Sequence, residues 1–213
     1  MILNRNNNDP KKIGIMGGTF NPIHHGHLVT AQEALVQFGL DEVIFIPAGD
    51  PPHKIEDLLA HAEDRYLMTV IATSSNSSFF VSRIEIDRKG KSYTIDTVKE
   101  LRKIYGSGSD LYFITGADAI LEILSWKKTS EIVSLTKFIA ATRPDYDLSK
   151  ITELKTTLFN SEDEANQKIF IMEIPALAIS STNIRQRIKD GRSINYLAPE
   201  GVNNYILKHG LYK

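Results

Sequence analysis

The stretch Ile13-Gly14-Ile15-Met16-Gly17-Gly18-Thr19-Phe20-Asn21-Pro22-Ile23-His24-His25-Gly26-His27 opens on a short apolar run and is followed by Leu28-Val29-Thr30-Ala31-Gln32-Glu33-Ala34-Leu35. A strand, a turn of small residues and a helix start therefore fall close together. Glycine lets a backbone take positive φ and pass close to a ligand. A helix beginning near Gly26 offers N–H groups and a partial positive charge to an anion. Two imidazoles, His24 and His27, stand three apart at the same corner. The stretch reads as a phosphate site with basic side chains built in.

Taken alone, the turn is ambiguous. Gly14-x-x-Gly17-Gly18 has neither the G-x-G-x-x-G spacing of a dinucleotide fold nor the G-x-x-x-x-G-K-[ST] spacing of a P-loop. The histidine pair suits a phosphate, a metal or a buried hydrogen bond. Against the metal, no carboxylate stands beside the pair, and zinc sites usually want a third protein ligand.

The chain has 213 residues, enough for a sizeable core in one domain. Its 42% apolar and 24% charged residues are ordinary for a globular protein. A net charge of −1 argues against a general nucleic-acid or membrane-surface binder, so any anion must be gripped locally. The absence of cysteine removes disulfides, thiolate metal sites and cysteine nucleophiles, and fits a cytoplasmic protein. Residues 1–10 lack the apolar core of a signal peptide and read as a flexible leader before a single domain over 11–213. No apolar run reaches membrane-spanning length.

Along the chain, apolar runs at 11–16, 43–46, 79–86, 111–115, 138–142 and 169–174 predict strands. Between them, helical spacing predicts helices from Gly26 to Phe38, over 62–73 (with Leu67, Val70 and Ile71 as its apolar face), and from Thr94 as N-cap to Tyr105. Further helices are expected from Asp118 through Leu124, over Thr129–Leu135, over 149–159, to about Lys189, and between Pro199 and His209. Residues 160–167 read as a solvated acidic loop. Alternating strands and helices predict an α/β fold: a Rossmann-like, doubly wound parallel sheet with helices on both faces, closed by a C-terminal helical segment. Ligands of such sheets bind beyond the carboxyl ends of the strands. The polar clusters at 17–27, 49–54, 116–118, 143 and 180–185 all fall at such ends.

Ser180-Ser181-Thr182-Asn183-Ile184-Arg185 forms a second anion cradle, with hydroxyls at a helix start and Arg185 one turn on. The plainer alternative is an N-cap and a surface arginine. Two cradles in one chain point to a ligand with several phosphates. Asp118 suits a ribose hydroxyl, a metal or an N-cap, and Trp126 suits either core packing or stacking on a planar ligand.

Gly17-Gly18-Thr19-Phe20-Asn21-Pro22 with His24-x-Gly26-His27, and Ile179-Ser180-Ser181-Thr182-x-Ile184-Arg185, resemble the two signatures of the nucleotidyltransferase superfamily in its bacterial nicotinate-nucleotide adenylyltransferase branch. Pro51-Pro52-His53-Lys54, Ser92-Tyr93-Thr94-x-Asp96-Thr97, Gly116-Ala117-Asp118 and Trp126 follow in that family's order, and the similarity spans roughly residues 11–212. The resemblance implies AMP transfer from ATP to nicotinate mononucleotide, giving nicotinate adenine dinucleotide and pyrophosphate in NAD biosynthesis, with Mg²⁺ carried on ATP and no metal site in the protein. It implies ATP contacts from Gly17, Gly18, Thr19, Phe20, His24, His27, Asp118, Ser181, Thr182 and Arg185, of which His24, His27 and Arg185 are catalytic. His53, Lys54, Tyr93, Thr94 and Trp126 would face the mononucleotide. Small-molecule substrates, no nucleic acid, no membrane and a candidate homo-oligomer complete the expectation. Two residues depart from the family pattern: Asn21 stands where aspartate is frequent, and Lys127 where an aromatic is. Within the superfamily, pantetheine-phosphate adenylyltransferases are the nearest alternative; a nucleotide-binding sensor and a metal-dependent hydrolase are the alternatives from other classes.

Overall fold

The computed structural model describes residues 10–51 and 59–213. Six strands run in chain order: β1 (Lys12–Gly18), β2 (Glu42–Pro47), β3 (Phe79–Val81), β4 (Asp110–Gly116), β5 (Lys137–Thr142) and β6 (Ile169–Glu173). The helices among the described residues are α1 (His25–Gln37), α2 (Ala62–Thr73), α3 (Thr94–Tyr105), α4 (Ala117–Ile120), α5 (Thr129–Leu135), α6 (Ser149–Leu158), α7 (Glu162–Lys168), α8 (Ser181–Lys189) and α9 (Glu200–His209). A 3₁₀ turn over Leu121–Ser125 continues α4.

The strands form one sheet in the order β3-β2-β1-β4-β5-β6. β1 pairs parallel with β4 (Ile13 beside Leu111), β4 with β5 and β5 with β6. Stepping outward from β1 to β3 and then returning to β4 is the order of a doubly wound nucleotide-binding sheet. Right-handed crossovers then put the helices of its two halves on opposite faces. The central strands carry unbroken apolar runs because both faces are covered: Ile13, Ile15, Ile44, Phe45, Phe138 and Ile139 are all fully buried.

The described residues fall into two compact units, each assembled from separate stretches of sequence. The first contains residues up to Gly17, Thr30–Val43 and Tyr93–Ala176; the second contains Gly18–Val29, Ile44–Ser92 and Leu177–Lys213. No single cut in the sequence separates them, and a single domain over 11–213 remains our proposal.

Four local expectations are corrected. β3 stops at Val81, because Asp87 N–H turns back to Arg83 O (2.8 Å) and the Arg83 guanidinium pairs with Glu63 and Asp87. The segment read as an acidic loop contains α7, whose N-cap Ser161 accepts from the Glu164 N–H and whose first turn holds Glu162, Asp163 and Glu164. That is the S-x-x-E pattern of a capping box, with acidic side chains favoured at the positive helix end. In α2, Leu67 and Val70 are exposed, whereas Arg65, Met68, Thr69 and Ala72 are buried. The helix turns a different face inward because that face carries a working arginine. At α3 the N-cap is Tyr93, not Thr94, and no side chain caps it.

Candidate active site

The second unit brings Gly18, Thr19, Phe20, His24, His27, Ser181, Thr182 and Arg185 into one compact body. Phe20 leaves β1 with φ +48, a left-handed value rare outside glycine, and its ring is buried against Phe45 and the His27 imidazole. The chain then passes Asn21 and Pro22, joined by a cis peptide, and enters α1. The rings of His24 and His27 stack at a centroid distance of 3.8 Å. A Cβ at position 26 would sit 3.0 Å from the His24 ring, so glycine there makes room for the imidazole.

The His24 N–H donates to Nδ1 of His27 at 3.2 Å. An Nδ1 that accepts leaves the ring proton on Nε2, so neutral His27 presents a single N–H donor. Burial pushes both imidazoles toward the neutral form, His24 to about 4 and His27 well below its ordinary value, with neighbouring His25 and His24 respectively adding to the effect. Nδ1 of His24 is buried with no hydrogen-bond partner. Such an atom costs roughly 1–3 kcal/mol unless a ligand satisfies it. Lowered in this way, both imidazoles favour the neutral form, in which a ring N–H is still there to donate. The free helix terminus is corrected in part, since the His25 N–H of α1 donates to Leu197 O (3.0 Å).

At α8, Ser180 is the N-cap, its oxygen accepting from the Asn183 N–H at 3.1 Å. The next hydroxyl, Ser181 Oγ, donates to Pro22 O (2.8 Å), and Arg185 Nη1 donates to Asn21 O (2.8 Å). Arg185 Nη2 also reaches the Thr182 hydroxyl at 3.4 Å. The two cradles read separately from sequence are thus laced together through consecutive carbonyls. Ser181 gives its proton to that lacing.

Behind the turn lies Arg65, 1% exposed and unnoticed in the sequence. Its Nε donates to Ala60 O (3.0 Å), Nη1 to Thr19 O (2.8 Å) and Nη2 to Gly49 O (3.1 Å). One guanidinium therefore holds the turn after β1 together with Gly49 and Ala60. A Cβ on Gly49 would lie 2.2 Å from Glu85 O, so that corner admits only glycine. The signal available in sequence was Arg65 in helical register with Met68 and Ala72. His53 and Lys54 lie outside the described residues.

The first unit carries Gly17, Tyr93, Thr94, Asp118 and Trp126. Asp118 is exposed and accepts from the Tyr146 hydroxyl at 2.9 Å. Trp126 is half-buried, edge-on to Phe113 at 5.6 Å, which lies between the two alternatives read from sequence. Lys127 sets its ammonium 4.2 Å over the Tyr93 ring. The aromatic missing at position 127 is thus replaced by a cation–π contact with a residue of the same expected pocket.

Residues 15–187 match the family described as cytidylyltransferase-like. A protein of Thermoanaerobacter sp. (strain X514) named probable nicotinate-nucleotide adenylyltransferase is 53% identical over 202 residues, covering 95% of this chain and 94% of that one. Its namesake in Moorella thermoacetica is 54% identical over 204 residues, covering 96% and 93%. The chain belongs to the nicotinate-nucleotide adenylyltransferase family. The Plasmodium falciparum nicotinic acid mononucleotide adenylyltransferase complexed with NaAD shares the fold of this family member at a TM-score of 0.75 and 24% identity, covering 95% of this chain and 97% of that one.

Among the described residues, no group of three His, Cys, Asp or Glu side chains is placed to hold a metal ion. Nor, among them, is any helix long and apolar enough to cross a membrane.

Proposed function

We infer that the chain transfers AMP from ATP to nicotinate mononucleotide, giving nicotinate adenine dinucleotide and pyrophosphate in NAD biosynthesis. A phosphate oxygen of the mononucleotide bonds to the α-phosphorus of ATP, and the bond from that phosphorus to the β-phosphate oxygen breaks, releasing pyrophosphate. The nucleophile is already anionic, so no strong base is needed. The barrier is repulsion between anions and charge growth on the leaving group, which positioning and donors lower.

The observation that carries this reading is the lacing of the two motifs: Ser181 to Pro22 and Arg185 to Asn21, contacts that join residues 159 and 164 apart. It sets the neutral Nε2–H of His27 and the permanent charge of Arg185 in one body. His27 donates to the phosphate undergoing attack, and the unpartnered Nδ1 of His24 is satisfied by the same ligand. Arg185, with Thr182, holds the departing phosphates. Gly18, Thr19 and Phe20 let the triphosphate approach the backbone, with Gly17 before them. Asp118 contacts the adenosine ribose; Tyr93, Thr94 and Trp126 receive the pyridine ring, and His53 and Lys54 belong to the same substrate. Mg²⁺ would be carried on ATP and would offset phosphate charge there, while His24, His27, Thr182 and Arg185 supply the protein's nitrogen and hydroxyl donors. The working protein is cytoplasmic, binds small molecules and neither nucleic acid nor membrane, and is a candidate homo-oligomer.

The test is a pyrophosphate-release assay with ATP, Mg²⁺ and either mononucleotide. Release should require the mononucleotide and favour the acid over the amide. A chain that releases nothing with either one does not carry this activity.

A further inference from the structure

Asn21 is the residue the family pattern left without a role, and the structure gives it one. It is 6% exposed, and its side-chain oxygen accepts twice: from the Ala60 N–H at 3.1 Å and from the Tyr212 hydroxyl at 2.8 Å. Its main-chain oxygen takes the Arg185 guanidinium, and the next carbonyl, of Pro22, takes the Ser181 hydroxyl. Tyr212 follows α9 at φ +66, a left-handed conformation that non-glycine residues rarely adopt. The fold retains that conformation, and it delivers the phenol to Asn21. Tyr212 also lines a cavity of about 180 Å³ together with Ala60 and Arg185. Burial pushes the phenol pKa up, beyond the opposing pull of the nearby Arg185 and Arg65 charges. The hydroxyl therefore keeps its proton and donates.

We propose that Tyr212 is a positioning residue for the phosphate grip: its hydroxyl pins the Asn21 side chain, and the Asn21–Pro22 carbonyls in turn hold Arg185 and Ser181 where ATP phosphates are bound. The proposal rests on the reading of Arg185 given above. A carbonyl can aim a guanidinium only if its own peptide is fixed, and the Ala60 N–H and the Tyr212 hydroxyl both fix Asn21 from its side chain. Losing the phenol removes the second of these.

Tyr212→Phe removes the donor and keeps the ring. In steady-state kinetics with both substrates, kcat/KM for ATP should fall ~10-fold, the scale of one lost buried hydrogen bond. KM for nicotinate mononucleotide should stay within about twofold, because the effect is local to the phosphates. Asn21→Ala should lower the same ATP parameter, and the double variant should be no worse than Asn21→Ala alone, since the two residues act as one unit. A Tyr212→Phe protein with unchanged ATP kinetics overturns the proposal, whether or not its melting temperature drops; so does an equal loss for both substrates. A wild-type chain that releases no pyrophosphate would instead overturn the activity itself.

Discussion

Arg65, Arg185, Ser181 and His27 of the second unit are gripped by main chain, whereas Asp118, Lys127 and Trp126 of the first lean on other side chains. Arg65 contacts three carbonyls, Arg185 and Ser181 take consecutive carbonyls, and the His27 ring accepts from a backbone N–H. Asp118 leans on the exposed Tyr146 hydroxyl, Lys127 on the Tyr93 ring, and Trp126 touches Phe113 by an edge. Main-chain partners do not change rotamer, so the end proposed to hold phosphates is set in the free protein. Side-chain partners adapt, which suits the ring recognition proposed for the first unit. Preorganised donors act on developing charge at little reorganisation cost, and the unit with rigid anchors is the one that holds them.

The largest consequence should follow from removing Arg65. Arg65→Ala strips partners from three carbonyls around a buried site, a change of about 3 kcal/mol by the scale of buried polar groups left unsatisfied. Denaturant midpoints would read it, and a loss below about 1 kcal/mol would mean that main-chain gripping counts for less than stated.

Acid should weaken the same region next. His24 is held at about 4 in the folded protein, against 6.5 when unfolded. The unfolded chain therefore takes up a proton first as pH falls. Stability present above pH 6.5 should be lost progressively between 6.5 and 4, by about 3 kcal/mol from this one group. Thermal melts across that range check the slope. The mutant His24→Gln should flatten it, and an unchanged slope would remove His24 as its source.

His27→Ala should lower kcat by ~100-fold, the usual cost of one transition-state donor. Loss of ATP affinity with kcat intact would move His27 from the reacting phosphate to mere binding.

The smallest effect belongs to the adaptable end. Trp126→Ala should raise KM for nicotinate mononucleotide by ~10-fold, on the scale of one aromatic contact, and spare ATP. An effect confined to ATP would place the indole at the other substrate.

The same contrast explains what the sequence made legible. Strand–helix alternation and both motif stretches could be read, because apolar period and small-residue spacing are local properties. α2 and α5 match their expected spans, Ala62–Thr73 and Thr129–Leu135. The buried face of α2 could not be read by apolarity, since its central residue is a guanidinium whose partners are carbonyls from residues 19, 49 and 60. Any residue type supplies a carbonyl, so a side chain aimed at one leaves no partner to search for. Asn21 and Tyr212 escaped for a related reason: they are 191 residues apart, and neither shows periodicity toward the other. At α7 the signal is local: Ser161 and Glu164 spell out a helix start, and the acidic composition of the segment masks it.

The link between Pro22 and Ser181 has a bearing on synthesis as well. A ribosome makes the glycine turn early, yet the cradle that completes it is 159 residues away. Closing so distant a contact is slow compared with local helix formation. An unfinished chain that stops short of residue 181 thus carries the glycine turn without the Ser181 and Arg185 side chains that lace it.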